Sequence, residues 1–169
     1  KTMLIVYPKG HGRGAIVYKR SLDGGKTWSE RLPTPKSWET SLEVPTLHRV
    51  VDAAGKKRII MFSGLYPIRM AVTEDDGLTW SELKPIGDFG GVVTMATVTG
   101  LKTPGHYLAF FHDDGRFIRG GTEGKYTVKG PHSDHTSPAA KPWRFWVYTT
   151  LSEDGGLTWS APAPIAMLP

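Results

Sequence analysis

The 169-residue chain has no cysteine, no asparagine and no glutamine. The first absence excludes disulfides, thiolate nucleophiles and Cys-ligated metal sites. Depletion of all three together is one signature of proteins from hot environments; a GC-rich genome produces the same bias. No apolar run reaches the roughly 18–20 residues that span a bilayer as a helix, so no membrane span is expected. A signal peptide is also missing, because Lys1 leads straight into the strand-length run Met3-Leu4-Ile5-Val6-Tyr7; a mature or trimmed chain would have lost one. Nor is there a basic block interleaved with aromatics, so nucleic-acid binding is not expected. The net charge of +5, from 21 Lys+Arg against 16 Asp+Glu, is spread along the chain. It suits an anionic ligand and equally an ordinary soluble surface of high pI.

Glycine and proline, by contrast, are plentiful, with 20 Gly and 13 Pro set between short apolar runs. That pattern reads as many short strands joined by turns. Three segments align without gaps: Ser21 to Ser29, Thr73 to Ser81 and Ser152 to Ser160. All obey [S/T]-x-D-x-G-x-T-W-S, each with a proline five residues after the Trp (Pro33, Pro85, Pro164) and a β-prone stretch before it. The physics is that of a stapled turn. An Asp carboxylate (Asp23, Asp75, Asp154) accepts backbone N–H groups across the turn, and the Ser or Thr hydroxyl closes it from the other side. Gly25, Gly77 and Gly156 fit positions with positive φ. Trp28, Trp80 and Trp159 supply a large apolar anchor.

The motif resembles the Asp-box, or bacterial neuraminidase repeat, of the sialidase superfamily, and its three copies frame nearly the whole chain. The resemblance implies an all-β partial β-propeller: about three four-stranded antiparallel blades of a six-bladed ring. It implies blades at 1–37 (lacking its inner strand), 38–89, and 90–169. In the second, Glu43 to Val51, Arg58 to Ser63, Ile68 to Val72 and Thr79 to Lys84 read as the four strands. The spacing Asp23 to Asp75 is 52 residues, but Asp75 to Asp154 is 79, which places an insertion near 117–144. A loop of that length without periodicity is usually functional or disordered. Three blades do not close a ring alone, so the remainder of a longer chain or another copy is the expected partner.

The resemblance makes Asp23, Asp75 and Asp154, with their Trps, structural, and puts the active face at the opposite end. On that face it gathers His11 and Arg13, Tyr66, then His112, Asp113, Asp114 and Arg116, with Glu39 and Glu43 on the approach to an inner strand. Sialidases use an arginine cluster for the substrate carboxylate, whose planar fork suits it, with a Tyr nucleophile and an Asp acid/base. By that resemblance Arg13 and Arg116, with His11 and Tyr66, are expected to bind substrate; Asp113, Asp114 and Glu43 are the catalytic candidates. The family's Arg-Ile-Pro signature is absent. Plainer readings stand beside these. Asp113-Asp114-Gly115 is a strong turn signal, Tyr66 before Pro67 fits loop packing, Arg13 and Arg116 fit charges that tie down glycine loops, and Glu43 fits an exposed strand end. His132 and His135 have metal-like spacing but no further ligands, so no metal and no cofactor are expected. The implied activity is exo-hydrolysis of a terminal acidic sugar on a glycan, sialic acid first, in a secreted or periplasmic setting. The alternative is a non-catalytic module that binds carbohydrate or protein.

Overall fold

The computed structural model describes residues 1–10, 13–118 and 145–168; Arg13, Glu43 and Leu168 enter through their backbone alone. The chain is all-β, built from antiparallel sheets of two, four and four strands, one per copy of the motif. The first repeat contributes the hairpin β1 (Met3–Gly10) and β2 (Arg13–Ser21). The second is the meander β3 (Leu42–Val51), β4 (Lys57–Gly64), β5 (Arg69–Thr73) and β6 (Lys84–Pro85). The third is β7 (Val93–Gly100), β8 (Tyr107–Asp113), β9 (Phe145–Ser152) and β10 (Ala163–Leu168). A single pair, Arg13 with Leu42, joins β2 to β3.

The strand expected over Thr79 to Lys84 is shorter than its sequence implies. Only Lys84–Pro85 forms a ladder with β5. Nearer the turn, Ser81 replaces the ladder with its own bonds, donating its N–H to Val72 O at 2.9 Å and accepting the Val72 N–H on Oγ at 2.9 Å. A short 3-10 helix, Lys36–Thr40, was not legible in the sequence. It docks on the second repeat through the Leu83 N–H, which donates to Ser37 Oγ at 2.7 Å, and it buries Trp38 completely.

The repeats stack face to face. Strand alternation decides which residue meets which neighbour: on β4, Met61 packs toward the first repeat with Tyr18, Trp38 and Ile16, while Ile60 and Phe62 pack toward Phe111 and Tyr148 of the third. Every β4 residue after Lys57 is therefore buried. Strand β8, which among the described residues meets a neighbouring repeat on one face, alternates between buried and half-buried along most of its length.

Meander connectivity gives the stack two ends. At one lie the three motif turns and the β3–β4 and β7–β8 turns, knitted by the Gly155 N–H donating to Gly105 O at 2.8 Å. At the other lie the starts of β3 and β7, the β4–β5 connection and residues 114–118 that follow β8, with the Leu65–Gly91 bridge between the β4–β5 connection and the segment leading into β7.

Candidate functional site

At the motif end the three aspartates make the same bonds. Asp75 Oδ1 accepts from the Thr73 hydroxyl (2.8 Å) and the N–H groups of Leu78 (3.0 Å) and Thr79 (2.9 Å), and Oδ2 takes the Thr79 hydroxyl at 2.6 Å. Asp23 and Asp154 repeat the pattern with Ser21 and Thr27, and with Ser152 and Thr158. Donors aimed at a carboxylate favour its charged form. The Thr79 hydroxyl and N–H hold Asp75 down at about 2, and the Thr27 N–H, then its hydroxyl, draw Asp23 well below the carboxylate range. For Asp154, burial pushes up, but the bonds from Thr158 and Ser152 outweigh it. Here the carboxylates are consumed in shaping turns.

The opposite end has a different chemistry. Strand β8 ends at Asp113, and residues 114–118 fold back over its carboxylate. Asp113 is fully buried and accepts the N–H groups of Gly115 (2.8 Å), Phe117 (3.1 Å) and Ile118 (3.0 Å) on Oδ2. Burial nevertheless pushes Asp113 up to about 6, with the neighbouring Asp114 charge adding to the push. Asp114 is itself 2% exposed and is met by the Arg116 Nε–H at 2.9 and 3.0 Å, one contact to each oxygen. Arg116 is 7% exposed. The His112 imidazole, half-buried against Phe145, is held below its ordinary range by burial. Beneath the turn Phe89, Phe111 and Tyr148 stack at 5.9 and 5.5 Å. Burial, then the charge of Asp113, raises the Tyr148 phenol; its hydroxyl has no partner among the described residues.

The β4–β5 connection is brought to this turn by the glycine-rich segment that leads into β7. The Ile68 N–H donates to Phe89 O at 3.0 Å and the Gly91 N–H to Leu65 O at 2.9 Å. A Cβ on Gly90 would stand 2.9 Å from both Tyr66 Cβ and Phe117 Cγ and 2.7 Å from Leu65 O, so only glycine lets the two loops close on each other. There the Tyr66 hydroxyl donates to the Asp88 carboxylate.

Of the sequence candidates, Tyr66 therefore lies beside the turn that holds Asp113, Asp114 and Arg116. Arg13 and Glu43 lie at the same end by backbone position, at the start of β2 and the second residue of β3. Glu39 belongs to the 3-10 helix rather than to an extended approach. His11, His132 and His135 lie outside the described residues, as does most of the expected insertion near 117–144. Asp88 was missed: within Gly-Asp-Phe-Gly-Gly it reads only as a turn residue, and no spacing in the sequence ties it to Tyr66. Among the described residues no group of three His, Asp or Glu side chains is placed to hold a metal ion, and no helix is long and apolar enough to cross a membrane. Compared with known families and curated proteins, the chain matches no family model and no curated sequence.

Proposed function

We propose that the three repeats are blades of a six-bladed Asp-box propeller, and that the end opposite the motif turns is an exo-glycosidase site for a terminal acidic sugar, sialic acid first. The observation that carries this reading is the Tyr66–Asp88 hydrogen bond, set beside the Asp113–Arg116 turn. A phenol is a weak nucleophile until a carboxylate takes its proton as it attacks. In this reading the Tyr66 oxygen attacks the anomeric carbon while its proton passes to Asp88. The leaving oxygen takes a proton from an acid, and water then hydrolyses the sugar–tyrosine bond. Glu43 is the acid, because Asp113 and Asp114 are withdrawn from solvent and engaged with the turn. Arg13 and Arg116 are the carboxylate contacts in this reading, with His11 a further substrate-binding residue. Glycans carrying such sugars imply a secreted or periplasmic setting.

One observation favours a second reading, a non-catalytic module that binds carbohydrate or protein. The two most buried carboxylates spend their acceptors on the turn's own N–H groups and on Arg116, as a purely structural loop would. A fluorogenic sialoside, run beside a panel of other glycosides, separates the two. Hydrolysis of the sialoside that is abolished by both Tyr66→Phe and Asp88→Asn supports the enzyme. Inactivity on every glycoside, together with retained glycan binding, supports the module.

A further inference from the structure

The first two repeats meet over a seam that is plugged, and the second and third over one that is not. In the first seam Trp38, carried by the 3-10 helix, lies against Tyr18 at 5.8 Å and Trp80 at 5.4 Å and is fully buried. Aligning the three motifs on their aspartates carries Tyr18 to Met70 and Trp80 to Trp159. Both of these line a groove of about 540 Å³ between the second and third repeats, with Val72, Ile86 and Leu157. The same alignment carries Trp38 to Gly90. That residue has no ring to offer, and it is closed on Leu65, Tyr66 and Phe117 at the other end of the stack. Nor can a helix dock on the third repeat as one docks on the second. Leu83, whose N–H donates to Ser37 Oγ, corresponds to Pro162, which has no N–H.

The seams also differ in charge. Leu32, packed on the cluster that holds Trp38, corresponds to Lys84, which is exposed and lines the groove. Two carboxylates line it as well, but both are already met. Glu74 takes Lys56 at 2.6 Å and Arg58 at 2.8 Å, and Glu82 takes the Ser37 N–H at 2.9 Å together with the Ser37 hydroxyl. Among the described residues Lys84 has no ion-pair partner.

We infer that this groove binds a small planar aromatic acid. Its ring takes the place beside Met70 and Trp159 that Trp38 takes beside Tyr18 and Trp80, and its carboxylate meets the Lys84 ammonium. A volume of this size lies within the range of about 300–1,000 Å³ usual for ligand pockets. A thioether and an indole edge are both favourable neighbours for an aromatic ring. The groove is lined by β5, β6 and the third motif rather than by Tyr66 or Asp113, so the inference does not rest on the glycosidase reading.

The test is isothermal titration calorimetry of the full chain with indole-3-acetate and with neutral indole. Wild type is expected to bind both, the acid more tightly. Val72→Trp sets a ring of the chain's own in the groove and is expected to abolish both; Leu157→Trp replaces it if circular dichroism shows that it has lost the wild-type fold. Lys84→Leu restores the residue of the first seam. It is expected to weaken the acid by about two- to fivefold, the worth of an exposed ion pair, and to leave indole unchanged. Absence of binding by either compound up to its solubility limit overturns the inference. A folded Trp variant that binds as wild type does also overturns it, because the ring then sits elsewhere. So does an acid whose affinity Lys84→Leu leaves unchanged.

Discussion

Carboxylates at the two ends of the stack receive similar bonds and respond in opposite ways. Asp75 accepts two backbone N–H groups and two hydroxyls at the motif end and is held at about 2. Asp113 accepts three backbone N–H groups at the other end, yet stands at about 6. The difference is solvent. The motif turns project into water, which continues to stabilise the charge, whereas Asp113 has 0% exposure and a second carboxylate beside it. Desolvation then outweighs the hydrogen bonds. A count of bonds to a carboxylate therefore does not fix its charge; burial does.

The sharpest break of that comparison is Arg116→Ala. It removes the partner of Asp114, a carboxylate that is 2% exposed. Breaking a buried pair from one side leaves an uncompensated charge and costs about 3–5 kcal/mol. Urea denaturation should show a loss of that order. If Arg116 were only a ligand contact, stability would hold and affinity for a carboxylate sugar alone would fall.

Acid titration comes next. Asp113 binds its proton more readily folded than unfolded, so its contribution is fully present below about pH 4 and is lost as pH rises through about 6. From an ordinary value of 3.8 to about 6 the effect is worth at most about 3 kcal/mol. Asp75 has the opposite sign: its stabilisation is present above the ordinary carboxylate range and is lost as pH falls toward 2. Half-buried His48 and His112, both lowered by desolvation, weaken the fold as they charge on acidification. The Asp113 contribution is therefore read as the difference between wild type and Asp113→Asn. Wild type should gain on the variant between pH 6 and pH 4. A flat difference would mean that Asp113 is solvated.

These two ends were unequally legible in the sequence. The motif turns show there because their chemistry is local: Asp75, Thr73 and Thr79 meet within seven residues, and the glycine and Trp stand at fixed offsets. The opposite end is assembled from distant parts. Tyr66 and Asp88 are 22 residues apart, and the glycine that fits between Tyr66 and Phe117 stands two residues after Asp88, so three distant segments meet there. Asp113-Asp114-Gly115 reads as a turn and is one, but nothing in the residue order says that the turn folds inward over its own carboxylate. The role of each Trp was half legible. An apolar anchor was expected, yet Trp159 anchors its turn on Phe62 of the preceding repeat rather than beneath itself.

A smaller contrast lies within the motif end. Gly77 at φ 78° and Gly24 at φ 79° both occupy the left-handed region, where a Cβ costs about 1–2 kcal/mol. Gly24 has nothing within 4 Å, and Asp76 holds the equivalent position of the second motif at φ 54°. Gly77 is closed down on Leu4 at 2.8 Å. Gly77→Ala should therefore destabilise more than Gly24→Ala in parallel urea melts, because it must also displace Leu4 from the contact between repeats. Equal losses would show that the backbone term alone decides.

The smallest expected effect on stability returns to the site. Tyr66→Phe removes a hydrogen-bond donor from a carboxylate, as Arg116→Ala does, and at the same end of the stack. The carboxylate left behind is different. Asp88 is exposed, so water replaces the phenol, whereas Asp114 has no water to turn to. An ordinary hydrogen bond lost to solvent costs about 0.5–1.5 kcal/mol, and the variant should melt close to wild type while Arg116→Ala does not. A loss from Tyr66→Phe as large as that from Arg116→Ala would place Asp88 in a desolvated site and extend the buried character of Asp113 and Asp114 across the whole end. A small loss leaves Tyr66 at a solvated rim, where a sugar can reach its hydroxyl without first unfolding the turn beside it.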